Sequence, residues 1–87
     1  MTVPETLAPA DVVAGLAEII TSVVGTPAAA VVPAASFADL DVDSLSMIEI
    51  MLAVEERFGV HVPDDDADQL ETVQSAVDYI MRAGSGR

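Results

Sequence analysis

The apolar residues of this chain recur at spacings of three and four, and nowhere alternate with period two for long enough to make a strand. That pattern confines the fold to packed helices. A first segment, Asp11 to Val24, carries Val12, Val13, Leu16, Ile19, Ile20, Val23 and Val24. At about 100° per residue these fall on one face. Asp11 suits its first turn and Gly25 its stop. A second helix, Ser44 to Phe58, follows Asp43, whose carboxylate can accept a bond from an early backbone N–H, and ends at Gly59. His61 to Pro63 leads into a short helical segment from Asp64 to about Leu70. Thr72 then caps a last helix, Val73 to Met81, with Val73, Ala76, Val77, Ile80 and Met81 on one side. Three main helices plus one short helix make an all-α, small four-helix bundle.

The first and second helices are separated by a long loop, Gly25 to Val42, with prolines at 27 and 33. A loop of this length in a compact domain is usually functional or packed down. Val31, Val32, Phe37 and Leu40 are its expected anchors, and Ala28 to Val31 can form a helical turn. With 87 residues the chain has room for one domain, 1–87, whose ends at 1–9 and 83–87 are expected to fray. A domain this small buries only about 60% of its unfolded surface, so its stability should be modest.

Composition narrows the chemistry. Hydrophobic residues make up 52% of the chain but aromatics only 3%, so aliphatic side chains and Met do the packing. There is no cysteine, hence no disulfide, no thiolate metal site and no side-chain thiol to hold an acyl group. The first residues lack a basic region and an apolar run, which argues against a secretory signal. No stretch approaches the roughly 18 apolar residues of a membrane span, so a cytoplasmic protein is the default. Fifteen acidic residues face three arginines and no lysine, giving a net charge of −12. Such a field repels nucleic acid and anionic lipid and attracts proteins with basic patches. Acidity that merely keeps the domain soluble explains the composition equally well.

The second helix carries two stripes. Met47, Ile50, Met51, Val54 and Phe58 should face the core. Across from them lie Leu45, Ile48, Glu49, Leu52, Glu55 and Glu56, three large aliphatics among three carboxylates. An apolar centre with a charged rim is the make-up of a binding face. The plainer alternative is that Leu45, Ile48 and Leu52 pack under the long loop or the short third helix. Ser44 stands at the helix entrance, where a phosphate ester would meet free N–H groups and the positive end of the helix dipole, an effect worth about 0.3–1 kcal/mol. Asp41 and Asp43 oppose it by like-charge repulsion, so on physics alone Ser44 reads as an ordinary first-turn serine. Two other chemistries find little support. Ser44 lacks the glycine-flanked elbow of a serine hydrolase, and the sole histidine, His61, is distant in sequence. Asp39, Asp41 and Asp43 match the first, third and fifth positions of a calcium loop, but Ser44 stands where glycine is needed and Ile50 where the closing Glu belongs. No specific metal site is expected, only weak divalent binding by the acidic cluster.

The run Asp39-Leu40-Asp41-Val42-Asp43-Ser44-Leu45-Ser46-Met47-Ile48-Glu49-Ile50 resembles the phosphopantetheine attachment site of acyl carrier proteins, whose core is Asp43-Ser44-Leu45 here. The surroundings are similar too: Ser36-Phe37, Glu55 to Val60, Val62 to Asp66, Thr72-Val73 and Tyr79-Ile80. The likeness runs from about Val12 to Ile80 and is strongest to discrete, type II actinobacterial carriers of fatty acid and polyketide synthases. It departs in an Ala- and Pro-rich loop and in its missing lysines, which leaves the pathway open.

The resemblance implies a non-catalytic carrier. A phosphopantetheinyl transferase would move the 4'-phosphopantetheine arm from coenzyme A onto the Ser44 hydroxyl, with Asp43 helping to position that step near the transferase's Mg²⁺. The arm supplies the thiol that the chain lacks. It also implies docking through Leu45, Ile48 and Leu52, with Asp41, Glu49, Glu55 and Glu56 facing basic patches on ketosynthase, acyltransferase, ketoreductase, dehydratase and other synthase enzymes. Ile50, Met51, Val54 and Ala67 would line an acyl pocket, where methionine adapts to chains of different length. A monomer is expected. An unmodified, carrier-like interaction module and a peptidyl carrier remain alternatives.

Overall fold

The computed structural model describes residues 8–85. Four α-helices form the bundle: α1 (Pro9–Val24), α2 (Ser44–Phe58), α3 (Asp64–Ala67) and α4 (Val73–Ser85). Among the described residues there is no strand, only an isolated bridge between Ser36 and Thr72. No helix among them is long and apolar enough to cross a membrane.

Each boundary has a local cause. Pro9, the last residue of the expected lead-in, instead opens α1, because proline's missing N–H costs nothing in a first turn. The rest of that lead-in, through residue 7, lies outside the described residues. Gly25 closes α1 at φ 83°, a left-handed conformation that glycine takes without strain, and its N–H bonds to the Thr21 carbonyl at 2.9 Å. Gly59 ends α2 in the same way at φ 71°. At the start of α4 the Thr72 hydroxyl accepts from Ser75 N–H at 3.1 Å and the Ser75 hydroxyl accepts from Thr72 N–H at 3.0 Å, a reciprocal cap. The last helix runs past Met81 to Ser85, into the segment expected to be tail, while α3 stops at Ala67, short of Leu70.

The core is one continuous apolar cluster, aliphatic but for Phe37 and Met51 among its buried members. Leu16 and Ile20 from α1, Ile50 and Val54 from α2, and Val73 and Ile80 from α4 are among its fully buried members. α1 packs against both α2 and α4, and α3 packs on α2. Gly15 lets α1 and α2 approach, since a Cβ there would sit 2.5 Å from Cζ of Phe58. An Arg57–Glu18 ion pair of 2.7 Å bridges the same helices at the surface.

The long loop is held by more than its apolar anchors. Val31, Phe37 and Leu40 are buried as expected, but Val32 is 46% exposed and anchors nothing, because the chain turns directly after the 3₁₀ turn Ala28–Ala30. Backbone bonds stitch the loop to the entrance of α4: Phe37 N–H to Glu71 O, Val73 N–H to Ala35 O and Gln74 N–H to Pro33 O, each 2.9 Å. The Thr26 hydroxyl donates to Leu40 O at 2.7 Å. Together these fix the approach of the chain to Ser44.

Candidate functional site

The site is built by the last turn of the loop and the first turn of α2. Leu40 is buried, and the next residue, Asp41, takes φ 65°, the one left-handed non-glycine residue described. Asp tolerates that conformation better than most residues. It swings the chain so that Asp43 arrives extended as the N-cap of α2. The Asp43 carboxylate accepts from Ser46 N–H at 2.8 Å, and Met47 N–H bonds to the Asp43 carbonyl at 2.9 Å. The backbone bond from Ser46, reinforced by the Ser46 hydroxyl, holds the Asp43 carboxyl below its ordinary value. Ser44 is thereby fixed as the first residue of α2, and it is exposed.

Two crevices open beside Ser44. The larger, about 350 Å³, has Phe37, Val42, Met47, Ala67 and Leu70 among its walls. The smaller, about 220 Å³, includes Met47, Ile48, Met51 and Ala67. Ser44, Met47, Ala67 and Asp68 belong to both. An exposed hydroxyl on a capped helix start, beside two adjoining crevices, leaves room for a long flexible arm attached there by an ester to fold back.

The expected docking residues are brought together on one exposed face. Leu45, Ile48 and Leu52 are 67%, 48% and 56% exposed, so neither the loop nor α3 covers them, although Ile48 also edges the smaller crevice. Glu49, Glu55 and Glu56 are exposed around them, and Asp41 is exposed at the preceding turn. His61 Nδ1 lies 3.4 Å from Glu55 Oε2 at the far end of α2.

The expected acyl-pocket residues divide. Ala67 lines both crevices and Met51 the smaller one. Ile50 and Val54 are 0% exposed within the core and line neither. Their positions on α2 turn them into the bundle, whereas Met47, one turn earlier and half-buried, faces the cleft beside Ser44. Sequence reasoning missed Val42, Leu70 and Asp68 as cleft residues. Nothing in their local pattern marks them, because the cleft exists only where the loop, α2 and α3 meet.

The matches to known proteins agree with this geometry. The family model described as "Phosphopantetheine attachment site" matches residues 14–80, and the chain belongs to that family. Its relatives are acyl carrier proteins. One from Acidothermus cellulolyticus is 55% identical over 74 residues, covering 84% of this chain and 88% of the relative. The meromycolate extension acyl carrier protein of Mycolicibacterium aurum is 48% identical over 73 residues, covering 83% of this chain and 75% of the relative. In structure the chain is similar to the 3,7-dioxo-octyl actinorhodin acyl carrier protein of Streptomyces coelicolor, with a TM-score of 0.71 and 30% identity over 92% of this chain and 93% of that one. The protein is thus an acyl carrier protein with 4'-phosphopantetheine as its prosthetic group.

Proposed function

We propose that Ser44 is the residue that bears the phosphopantetheine arm, and that this chain presents thioester-bound acyl intermediates to the enzymes of a type II fatty acid or polyketide synthase. The observation that carries this reading is the exposed Ser44 hydroxyl, fixed at the first turn of α2 by the Asp43 cap and shared by two clefts. Phosphopantetheine supplies the thiol, which a cysteine-free chain cannot. The protein's own residues then hold and present. The helix start tolerates the phosphodiester through its open N–H groups and dipole, against the repulsion of Asp41 and Asp43. The clefts of Met47, Met51 and Ala67 shelter the acyl chain. The face of Leu45, Ile48 and Leu52, ringed by Asp41, Glu49, Glu55 and Glu56, docks to basic patches on the transferase, ketosynthase, acyltransferase, ketoreductase and dehydratase. The chain itself catalyses nothing, works as a monomer and acts in the cytoplasm.

Relatives named for meromycolate extension and for actinorhodin point to chain-elongating synthases of both kinds. The direct test is intact mass after incubation with coenzyme A, Mg²⁺ and a phosphopantetheinyl transferase. The parent chain gains one phosphopantetheinyl group and Ser44→Ala gains none. A Ser44→Ala chain that gains the same mass sinks the assignment.

A further inference from the structure

The segment from Asp66 to Leu70 is a wall between two openings. On the Ser44 side, Ala67 and Asp68 line both crevices. On the α4 side, Asp66 and Gln69 line a separate groove of about 420 Å³, together with Ser75, Asp78, Tyr79 and Arg82. Leu70 borders that groove and the larger Ser44 crevice alike. The wall is lightly built. α3 has four residues, Ala67 is its only buried one, and no side chain caps its start. A bond from the Tyr79 hydroxyl to the Asp66 carboxylate at 2.7 Å ties it to α4. Tyr79 is half-buried and packed against the core, so the phenol is presented from a fixed base.

We infer that Tyr79 and Asp66 form a clasp that sets the capacity of the Ser44 crevice and so determines how bulky an acyl group the carrier shelters. The inference rests on the reading of that crevice as the acyl site. A chain entering beside Ser44 presses on Ala67 and Leu70, and the groove behind them gives the wall room to yield. The clasp opposes that movement. A hydrogen bond to a charged acceptor is worth more than a neutral one, and this one is short. The same bond and the surrounding burial raise the Tyr79 phenol above its ordinary pKa, as expected for a donor held on a carboxylate. Short acyl groups need no displacement of the wall and should not sense the clasp. Tyr79 and Asp66 are therefore positioning residues that act through α3.

The test has two arms. In the first, amide hydrogen exchange is compared between the unmodified parent chain and its Tyr79→Phe variant, which keeps the ring and loses the hydroxyl. Exchange across residues 64–70 should quicken about tenfold, the scale of one hydrogen bond to a charged group, while amides in the middle of α1 and α2 keep their rates. Unchanged exchange at 64–70, or equal quickening throughout the bundle, overturns the clasp. Asp66→Ala removes the acceptor from the surface side and should reproduce the pattern if Tyr79→Phe fails to fold. In the second arm, octanoyl and acetyl forms are made with the transferase and the matching acyl-coenzyme A, loading is verified by mass, and thioester cleavage by hydroxylamine is timed. The parent should protect octanoyl more than acetyl. Tyr79→Phe should slow octanoyl cleavage further, by up to about tenfold, and leave acetyl cleavage unchanged. Failure to load at all refutes Ser44 as the attachment residue and leaves the exchange arm to decide the clasp. Equal protection of the two groups in the parent overturns the crevice reading and the capacity role with it. Normal parent protection with no change in Tyr79→Phe overturns the capacity role alone.

Discussion

Asp43 does two things through one carboxylate: it caps α2 and it fixes Ser44, the attachment residue proposed above, at the helix start. Its folded pKa is depressed, so the stability it contributes is present above the unfolded carboxylate value, about 3.9, and is lost as pH falls through the lower folded value. Asp43→Asn keeps an acceptor at the cap but removes the titration. Urea unfolding at neutral pH should find the variant less stable than the parent, and the gap should close as pH falls below the unfolded value. A gap that stays constant down to pH 2 removes the charge from the account. Glu49 belongs to the other surface of the same helix, exposed beside Ile48 and Leu52. Glu49→Lys should leave the helical circular dichroism signal intact and slow loading or acyl transfer at low salt, with the difference shrinking as salt rises. Equal low-salt rates for variant and parent contradict the docking role. Ser44 itself was legible as a candidate only because the residues around it resemble an attachment site; its local physics marks it merely as a tolerable place for a phosphate.

At the scale of the element, α2 is informative because it is apolar on two sides and only one of them is covered. Ile50 is 0% exposed and Leu52 is 56% exposed, two residues apart. Ile50→Ala should therefore cost about 2–5 kcal/mol, by transfer and cavity terms together, a large fraction of what so small a domain has. Leu52→Ala should change stability by no more than about 0.5 kcal/mol. Urea titration of both checks the assignment of the faces, and comparable losses at the two positions contradict it. Helical periodicity marked both stripes but could not say which neighbour covers the second, since a stripe at three-and-four spacing reads the same whether it meets a loop or water. The same limit explains Ile50 and Val54. Their residue types suit a cleft wall as well as a core, and only the packing of α1 against α2 decides for the core. Val32 is the converse case, an apolar residue beside a true anchor, Val31, that the turn leaves in solvent.

Across the whole molecule the balance is set by charge. A net charge of −12 sits on a body of 35 × 27 × 20 Å. At 0.01 M salt the Debye length, about 30 Å, spans nearly all of it, so every carboxylate senses most of the others. At 0.15 M it falls to about 8 Å and only neighbours interact. Self-repulsion then weakens, and the midpoint of thermal unfolding should rise between those two salt concentrations. A midpoint that falls or stays level shows that local pairs such as Arg57–Glu18 outweigh the long-range field. The same field that costs stability would speed the encounter with the basic partners proposed above, so on that reading salt should move stability and docking rate in opposite directions.

What the amino-acid order determined alone is whatever depends on near neighbours along the chain. The helices, their caps at Asp43 and Thr72, their glycine stops and the buried stripe of α1 follow from spacing and side-chain chemistry within a few residues. What the tertiary structure decided is whatever needs two distant segments at once. The stitching of Pro33–Phe37 to the entrance of α4, the clefts between loop, α2 and α3, and the bond from Tyr79 to Asp66 join residues that share no local pattern. Burial and hydrogen bonding act through space, and a periodicity along one helix carries no record of what will stand opposite it.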